Sequence, residues 1–449
     1  MLPLMLVGYL FLLIFRPYEY WPVLGALRVE RVYMLTFMAM AFFSKEKRFI
    51  PHPINGMVVV FTLCLLVSGI FAYRWSSASV LIEDYLKFVI FYFMVIISVR
   101  NERDFRLVLL SFLVIMLLYV GKSAWEFFVH DRYQFTMGIK RMSGIDRTYG
   151  APNSFSASIC YSLPFLWAML RHGIESKWLR WALWGYGALA MVAIMYSGSR
   201  SGMVTALLFF LLVLASAKRK FMGLVVIGVL LIVAWDNMPE SLQTRFVSTF
   251  VRGQATAGAD DSAEGRMKGF LQGVDVFKKN PLFGIGPANF QHSWPGIDTG
   301  YNAHNVYGQL MGELGILGVL SFGGLVWVVY RTNKNIMRRV KTLVERLRES
   351  IAAQAPPGKS GQGKNAAQGM GAQPEETVWE EKRQAVEQHV RHLNLYFLIS
   401  QAVIQTLILM LFKGWGDHNL YRYTWLWLAA VTVLGYHFFQ QEAAQHEEA

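Results

Sequence analysis

The apolar residues of this chain are gathered into long blocks separated by short polar joints, and the blocks approach the ~20 residues a helix needs to cross a bilayer. Nine are clean: 54–73, 107–121, 153–170, 181–199, 201–217, 221–235, 314–330, 393–412 and 423–441. Three more, 2–15, 28–43 and 79–99, are short or carry charge, the last holding Glu83, Asp84 and Lys87. The pattern predicts an all-α polytopic membrane protein of about twelve transmembrane helices. Residues 1–235 then hold spans one to nine, with an outer loop at 122–152. A large outer loop at 236–303 has helical periodicity, aromatic residues and turn signals, and is expected to fold as a helical domain. The tenth helix falls at 304–330, a partly disordered inner loop at 331–392, and the last two helices with a tail at 393–449.

Composition agrees with this reading. Of the 449 residues, 54% are hydrophobic and only 16% charged, where a soluble domain carries roughly 25% charged. Cys64 and Cys160 both lie in apolar blocks, which leaves no disulfide framework and no Cys-ligated zinc site. A formal charge of +13 would suggest nucleic acid in a soluble protein; here it divides between two sides of a membrane, and nucleic acid is not an expected partner. With the first residue inside, the short inner joints contain Lys45, Lys47 and Arg48, then Arg100, Arg103 and Arg106, then Arg171, Lys177 and Arg180, then Lys218, Arg219 and Lys220. That bias fits the positive-inside rule and puts both ends of the chain in the cytoplasm. No small-residue cleavage site follows the first block, which reads as a retained helix.

The outer loops are also basic, with Lys122, Arg132, Lys140, Arg141 and Arg147 in one and Arg245, Arg252, Arg266, Lys268, Lys278 and Lys279 in the other. Solvated charge and lipid-headgroup contact account for single residues; the aggregate points to an anion site at the outer surface. In the long loop, Pro239–Val251 reads as an interfacial helix with Leu242, Phe246 and Phe250 in a stripe. A second helix is expected from Asp261 or Ser262, with Glu264 as capping-box partner, to Asn280 and Pro281. Arg266 shares a face with Gly269 and Gly273, small neighbours that leave room for a ligand. Gly284-Ile285-Gly286 reads as a turn. Asp260-Asp261 lacks further ligands at metal spacing and reads as a helix cap; no metal is expected.

Three residues stand out. Arg200, in Ser197-Gly198-Ser199-Arg200-Ser201-Gly202 between two apolar blocks, sits at the membrane boundary where Ser199 or Ser201 caps the next helix and free N–H groups face the same anion. Snorkelling to headgroups is the plain alternative. His304 stands beside Asn302 and Asn305 at a helix start. Lys87 is a further candidate, although an i to i+4 pair with Glu83 explains it equally.

The ordered set Ser197 to Gly202, Gly265-Arg266, Asn280 to Pro287, Ala303-His304-Asn305-Val306-Tyr307 and Glu313 to Gly318 resembles the core of the O-antigen ligase and polymerase superfamily. The resemblance implies a metal-independent, inverting glycosyltransferase of the C-type membrane class, without cofactor, acting at the periplasmic face of the bacterial inner membrane. It implies an undecaprenyl-pyrophosphate-linked glycan as donor and, for a ligase, lipid A-core as acceptor. Arg200 and Arg266 would hold the pyrophosphate, with Arg147 and Lys87 as further carrier-binding candidates. His304 would be the catalytic base, with Asn305, Tyr301 and Asn153 as acceptor-binding or supporting residues. Guanidiniums suit a growing phosphate charge because they stay ionised and bind bidentately, and histidine takes a proton near neutral pH. A polymerase and a protein oligosaccharyltransferase belong to the same superfamily; the large loop before His304, with no soluble domain after the last span, favours the ligase. A twelve-helix transporter is the rival class, but such folds usually show two related halves, and no internal repeat is evident.

Overall fold

The computed structural model describes the chain apart from residues 45–48, 137, 218–219, 237, 248–258, 295–299, 356–373, 418 and 448–449. Its helices, in chain order, are α1 (Leu2–Ile14), α2 (Pro17–Tyr20), α3 (Pro22–Ala26), α4 (Val29–Phe43), α5 (Pro53–Ile70), α6 (Trp75–Ser98), α7 (Glu102–Phe128), α8 (Pro152–His172), α9 (Lys177–Tyr196), α10 (Arg200–Ala215), α11 (Lys220–Asp236), α12 (Glu240–Val247), α13 (Ala259–Lys279), α14 (Val306–Ala353), α15 (Pro374–Gly414) and α16 (Tyr423–Glu447). Starts follow local chemistry: Asn101, Ser176, Ser199 and Asn305 each accept a main-chain N–H from the first turn they cap. Proline opens α1, α5 and α8, where its missing N–H costs nothing.

Among the described residues, six helical stretches are long and apolar enough to cross a membrane: Leu2–Tyr20, Pro53–Ile70, Glu102–Phe128, Lys177–Tyr196, Val306–Ala353 and Val378–Gly414, with Arg200–Ala215 a shorter apolar helix. The protein is an all-α membrane protein. Its core is an aromatic-rich bundle in which α14 packs on α15, α13 and α5, and α15 packs on α8. Trp427 of α16 is fully enclosed and meets Phe91 of α6 and Phe112 of α7.

The loops sort to two ends. At one end Arg16 bonds Thr148, the Tyr73 N–H bonds the Ile285 carbonyl, Lys413 bonds Ser201, and Asn305 bonds the Trp415 carbonyl. At the other, His392 and Tyr396 of α15 meet Glu102 of α7 at 3.1 and 2.8 Å.

Several expectations need correction. A short antiparallel hairpin, β1 (Gln134–Thr136) and β2 (Ile139–Arg141), interrupts the helices, turned by Gly138 at a φ of 74° that favours glycine. Leu242 of α12 does not lie on a lipid surface: it is buried against Ile139 and Met238. Phe250, Val251 and Arg252 lie outside the described residues, as do Lys45, Lys47, Arg48, Lys218 and Arg219. Glu264 does not complete a capping box but pairs with Lys268 at 2.7 Å, one turn further into a helix that starts two or three residues earlier than expected. The disorder expected in the inner loop falls on 356–373, outside the described residues; on either side the loop is helical, as far as Ala353 and again from Pro374, and the two helices pair through Trp379 Nε1 and the Ile351 carbonyl at 3.2 Å.

The Gly284-Ile285-Gly286 turn does more than reverse the chain. Gly315, at a φ of 63°, breaks α14 and strips main-chain partners from the residues around it. The 281–286 turn replaces them with four bonds: Ile285 N–H to the Gly312 carbonyl (3.0 Å), Gly286 N–H to Glu313 (3.0 Å), and Ile316 and Leu317 N–H to Pro281 and Leu282 (2.8 and 3.5 Å). A buried helix end without such partners would cost several kcal/mol, at ~1–3 per bare group.

Candidate functional site

The Ser197–Gly202 turn is fixed from three directions. Ser197 Oγ returns a bond to the Ile194 carbonyl, Gly198 takes a φ of 58°, and Ser199 Oγ accepts the Gly202 N–H at 3.2 Å. From the hairpin, buried Arg141 donates its Nε to the Ser197 carbonyl at 2.7 Å and its Nη2 to Asn153 Oδ1 at 2.8 Å. Arg200 is thereby held as the first residue of α10, half-buried, with the positive end of the helix beside it. Lys413, 1% exposed at the end of α15, donates to Ser201 Oγ at 2.7 Å.

Arg266, in the second turn of α13, is also half-buried. Burial first, and the nearby Arg200 charge second, pull its guanidinium below the usual arginine value, against the opposing field of Asp417. Asp417 is buried in the loop between α15 and α16, and its charge also reaches Lys413 and Arg422. Room for the Arg266 head comes from Gly416, where an added Cβ would lie 3.1 Å from Nε and 3.2 Å from Cζ. The glycines expected to provide that room do something else. A Cβ at Gly269 would lie 2.0 Å from the Ala303 carbonyl oxygen, and one at Gly273 would lie 2.3 Å from that of Gly308. Gly269 and Gly273 are therefore the crossing point of α13 with the start of α14, with no ligand space between them.

That crossing fixes His304. Its neighbour Ala303 is pressed on Gly269, one turn beyond Arg266, and Asn305 caps α14 through the Tyr307 and Gly308 N–H groups at 2.9 and 3.0 Å. His304 itself is exposed and takes a φ of 44°, a left-handed conformation uncommon for a residue with a Cβ. Asn305 also donates to the Trp415 carbonyl at 3.1 Å, and Trp415 meets the rings of Phe270 and Tyr307. α13, the head of α14 and the 415–422 loop thus form one unit carrying Arg266, His304 and Asp417.

The other candidates divide. Asn153 holds Arg141, and Asn305 is a cap and tether; both act on the backbone frame. Tyr301 is 75% exposed, and its carbonyl accepts Trp294 Nε1 at 2.8 Å. Arg147 is exposed, with its main-chain N–H on Glu19 at 2.6 Å. Lys87 bonds Asp84 at 2.8 Å and Glu83 at 3.1 Å on its own helix, the intrahelical pairing that its spacing allowed.

Sequence reasoning passed over Lys413, Asp417 and Arg422. The signal was present: Lys413-Gly414-Trp415-Gly416-Asp417 is a charged, glycine-rich joint between two apolar blocks, the criterion that picked out Arg200. Buried Arg16 was missed too. It stacks 5.0 Å from the Tyr149 ring centroid, with Arg422 at 4.8 Å, so two guanidiniums converge on one aromatic ring.

No curated protein matches the chain. Residues 185–323 match the family model described as O-antigen ligase, a stretch that runs from α9 through Arg200, Arg266 and His304 to the broken part of α14. That match over residues 185–323 supports a place for the chain in the O-antigen ligase and polymerase superfamily.

Proposed function

We propose that the protein is an O-antigen ligase of the bacterial inner membrane, with about twelve spans, cytoplasmic termini and its site on the periplasmic side. It transfers O-antigen polysaccharide from undecaprenyl pyrophosphate to a sugar hydroxyl of lipid A-core. The observation that carries this reading is the convergence of Arg200 and Arg266 at the loop-rich end of the bundle, each half-buried and each within the other's field. Two guanidiniums near one another, with the Asp417 carboxylate opposing part of their charge, suit an anionic ligand.

In the proposed step the acceptor oxygen attacks the anomeric carbon and the bond from that carbon to the pyrophosphate oxygen breaks. The electron pair leaves on the phosphate, where Arg200 and Arg266 hold the growing charge bidentately. His304 takes the acceptor proton. Attack opposite the leaving group inverts the anomeric centre. Guanidiniums supply the charge that a metal ion supplies in other phosphate chemistry, so the step is written without one. Arg147 and Lys87 remain candidates for holding the carrier further from the reacting bond, and Tyr301 for the acceptor.

The test is reconstitution of the full chain in vesicles with carrier-linked glycan and lipid A-core, with Arg200→Ala, Arg266→Ala and His304→Ala beside the wild type. A covalent product from wild type and a loss of about 10²–10³ in each variant supports the reading. No product, or wild-type rates in all three, overturns it. Cells lacking the protein should accumulate lipid A-core without polymer; lipopolysaccharide with a single repeat would instead identify a polymerase.

A further inference from the structure

At the end of the bundle opposite Arg200, a cavity of about 410 Å³ opens between α7, the α8–α9 joint and α15. Arg106, Arg180 and Arg391 line it, with His172 and His392. Arg180 spends its fork on the Ile174 carbonyl, at 3.2 and 2.6 Å, which fixes the cavity wall. Arg106 and Arg391 make no ion pair and donate no hydrogen bond among the described residues. Glu175 is the carboxylate in the cavity lining, opposite three arginines, and Glu102, behind His392, is taken up by His392 and Tyr396. A second observation sets the depth. Trp178, Trp181 and Trp184 run along the outside of α9 from just beside Arg180, and are 88%, 72% and 50% exposed. Such a ladder of exposed indoles belongs at the level of lipid headgroups.

We propose that this cavity binds the phosphate headgroup of an acidic phospholipid from the leaflet at that end, with Arg106 and Arg391 as the phosphate contacts. A hydrophobic bundle wall below the cavity, basic side chains within it and indoles at its rim match a lipid with an anionic phosphate head and acyl chains better than a soluble anion. Basic pockets between membrane helices on the inner side are suited to such heads.

The experiment is native mass spectrometry of the detergent-purified full chain titrated with diphosphatidylglycerol, phosphatidylglycerol and phosphatidylethanolamine. The wild type is expected to retain the two acidic lipids and not the third. Arg106→Gln with Arg391→Gln should weaken retention about thirtyfold, from ~1 kcal/mol per basic residue. Arg103→Gln, an exposed arginine of the same helix end outside the cavity, should change nothing. Arg391→Gln alone, at an exposed position, gives an intermediate loss should the double variant fold poorly. Unchanged retention in Arg391→Gln, or an equal loss in Arg103→Gln, overturns the site. Stabilisation by inorganic phosphate or pyrophosphate that matches the lipid's overturns the lipid as its source.

Discussion

Lys413 and Ser201, 212 positions apart in sequence, are joined by a 2.7 Å hydrogen bond that locks the end of α15 to the first turn of the Arg200 helix. A buried bond to a charged group is worth about 1.5–3 kcal/mol. Lys413→Met keeps the length of the side chain and removes the charge and the bond. Glycan transfer is expected to fall about 10- to 100-fold, measured as initial rate in vesicles, and the melting temperature in detergent should drop as well, because Ser201 loses its donor and the buried Asp417 loses a neighbouring cation.

Gly416 makes a separate prediction. An alanine Cβ would press on the Arg266 guanidinium at 3.1–3.3 Å, tighter than most real contacts. Gly416→Ala should therefore lower transfer by displacing Arg266, and Arg266→Lys should lower it further, because an ammonium keeps the charge and loses the planar fork. Equal rates in wild type and both variants would remove Arg266 from the site.

The left-handed backbone of His304 separates chemistry from folding. Glycine adopts that conformation without penalty, so His304→Gly should match or exceed wild-type thermal stability while abolishing turnover. Asn305→Ala should do the reverse in kind, losing about 1 kcal/mol of cap and lowering the melting temperature.

At the α13–α14 crossing, Gly273→Ala drives a methyl group onto the Gly308 backbone. Overpacking of this type costs about 1–3 kcal/mol, and it parts the helix that carries Arg266 from the one that follows His304. Both stability and transfer should drop, read by thermal melting and by rate.

Asp146 gives a pH signature. Burial raises its carboxyl above the ordinary value, although Tyr119 and the Tyr149 N–H donate to it. The folded chain therefore holds this proton more tightly than the unfolded one. The stabilising contribution is complete below the unfolded value of 3.8 and is lost as pH rises through the higher folded value. Asp146→Asn removes the slope, so the melting temperature of wild type relative to that variant should rise as pH falls from about 7 to about 4.

Arg200, Arg266 and His304 were legible because each interrupts an apolar or glycine-rich stretch at a helix start, where unusual chemistry is visible against a plain background. The helix positions followed for the same reason, since a bilayer demands long apolar blocks. What stayed hidden was pairing. Nothing local says that Gly269 meets Ala303 while Gly416 makes room for Arg266, because a glycine allows close approach without naming its neighbour. The hairpin at 134–141 was equally opaque: its few ladder bonds hold only because Arg141 anchors it to Ser197 and Ile139 packs on Leu242.

The break at Gly315 has a bearing on biogenesis. A membrane helix normally completes its own bonding as it leaves the insertion machinery, but the upper third of α14 does not. Its bare groups wait for Pro281 to Gly286, made earlier and already on the far side of the bilayer under the proposed topology. Synthesis order and translocation order thus agree, and a permuted chain in which that turn followed α14 would present a half-finished helix to lipid.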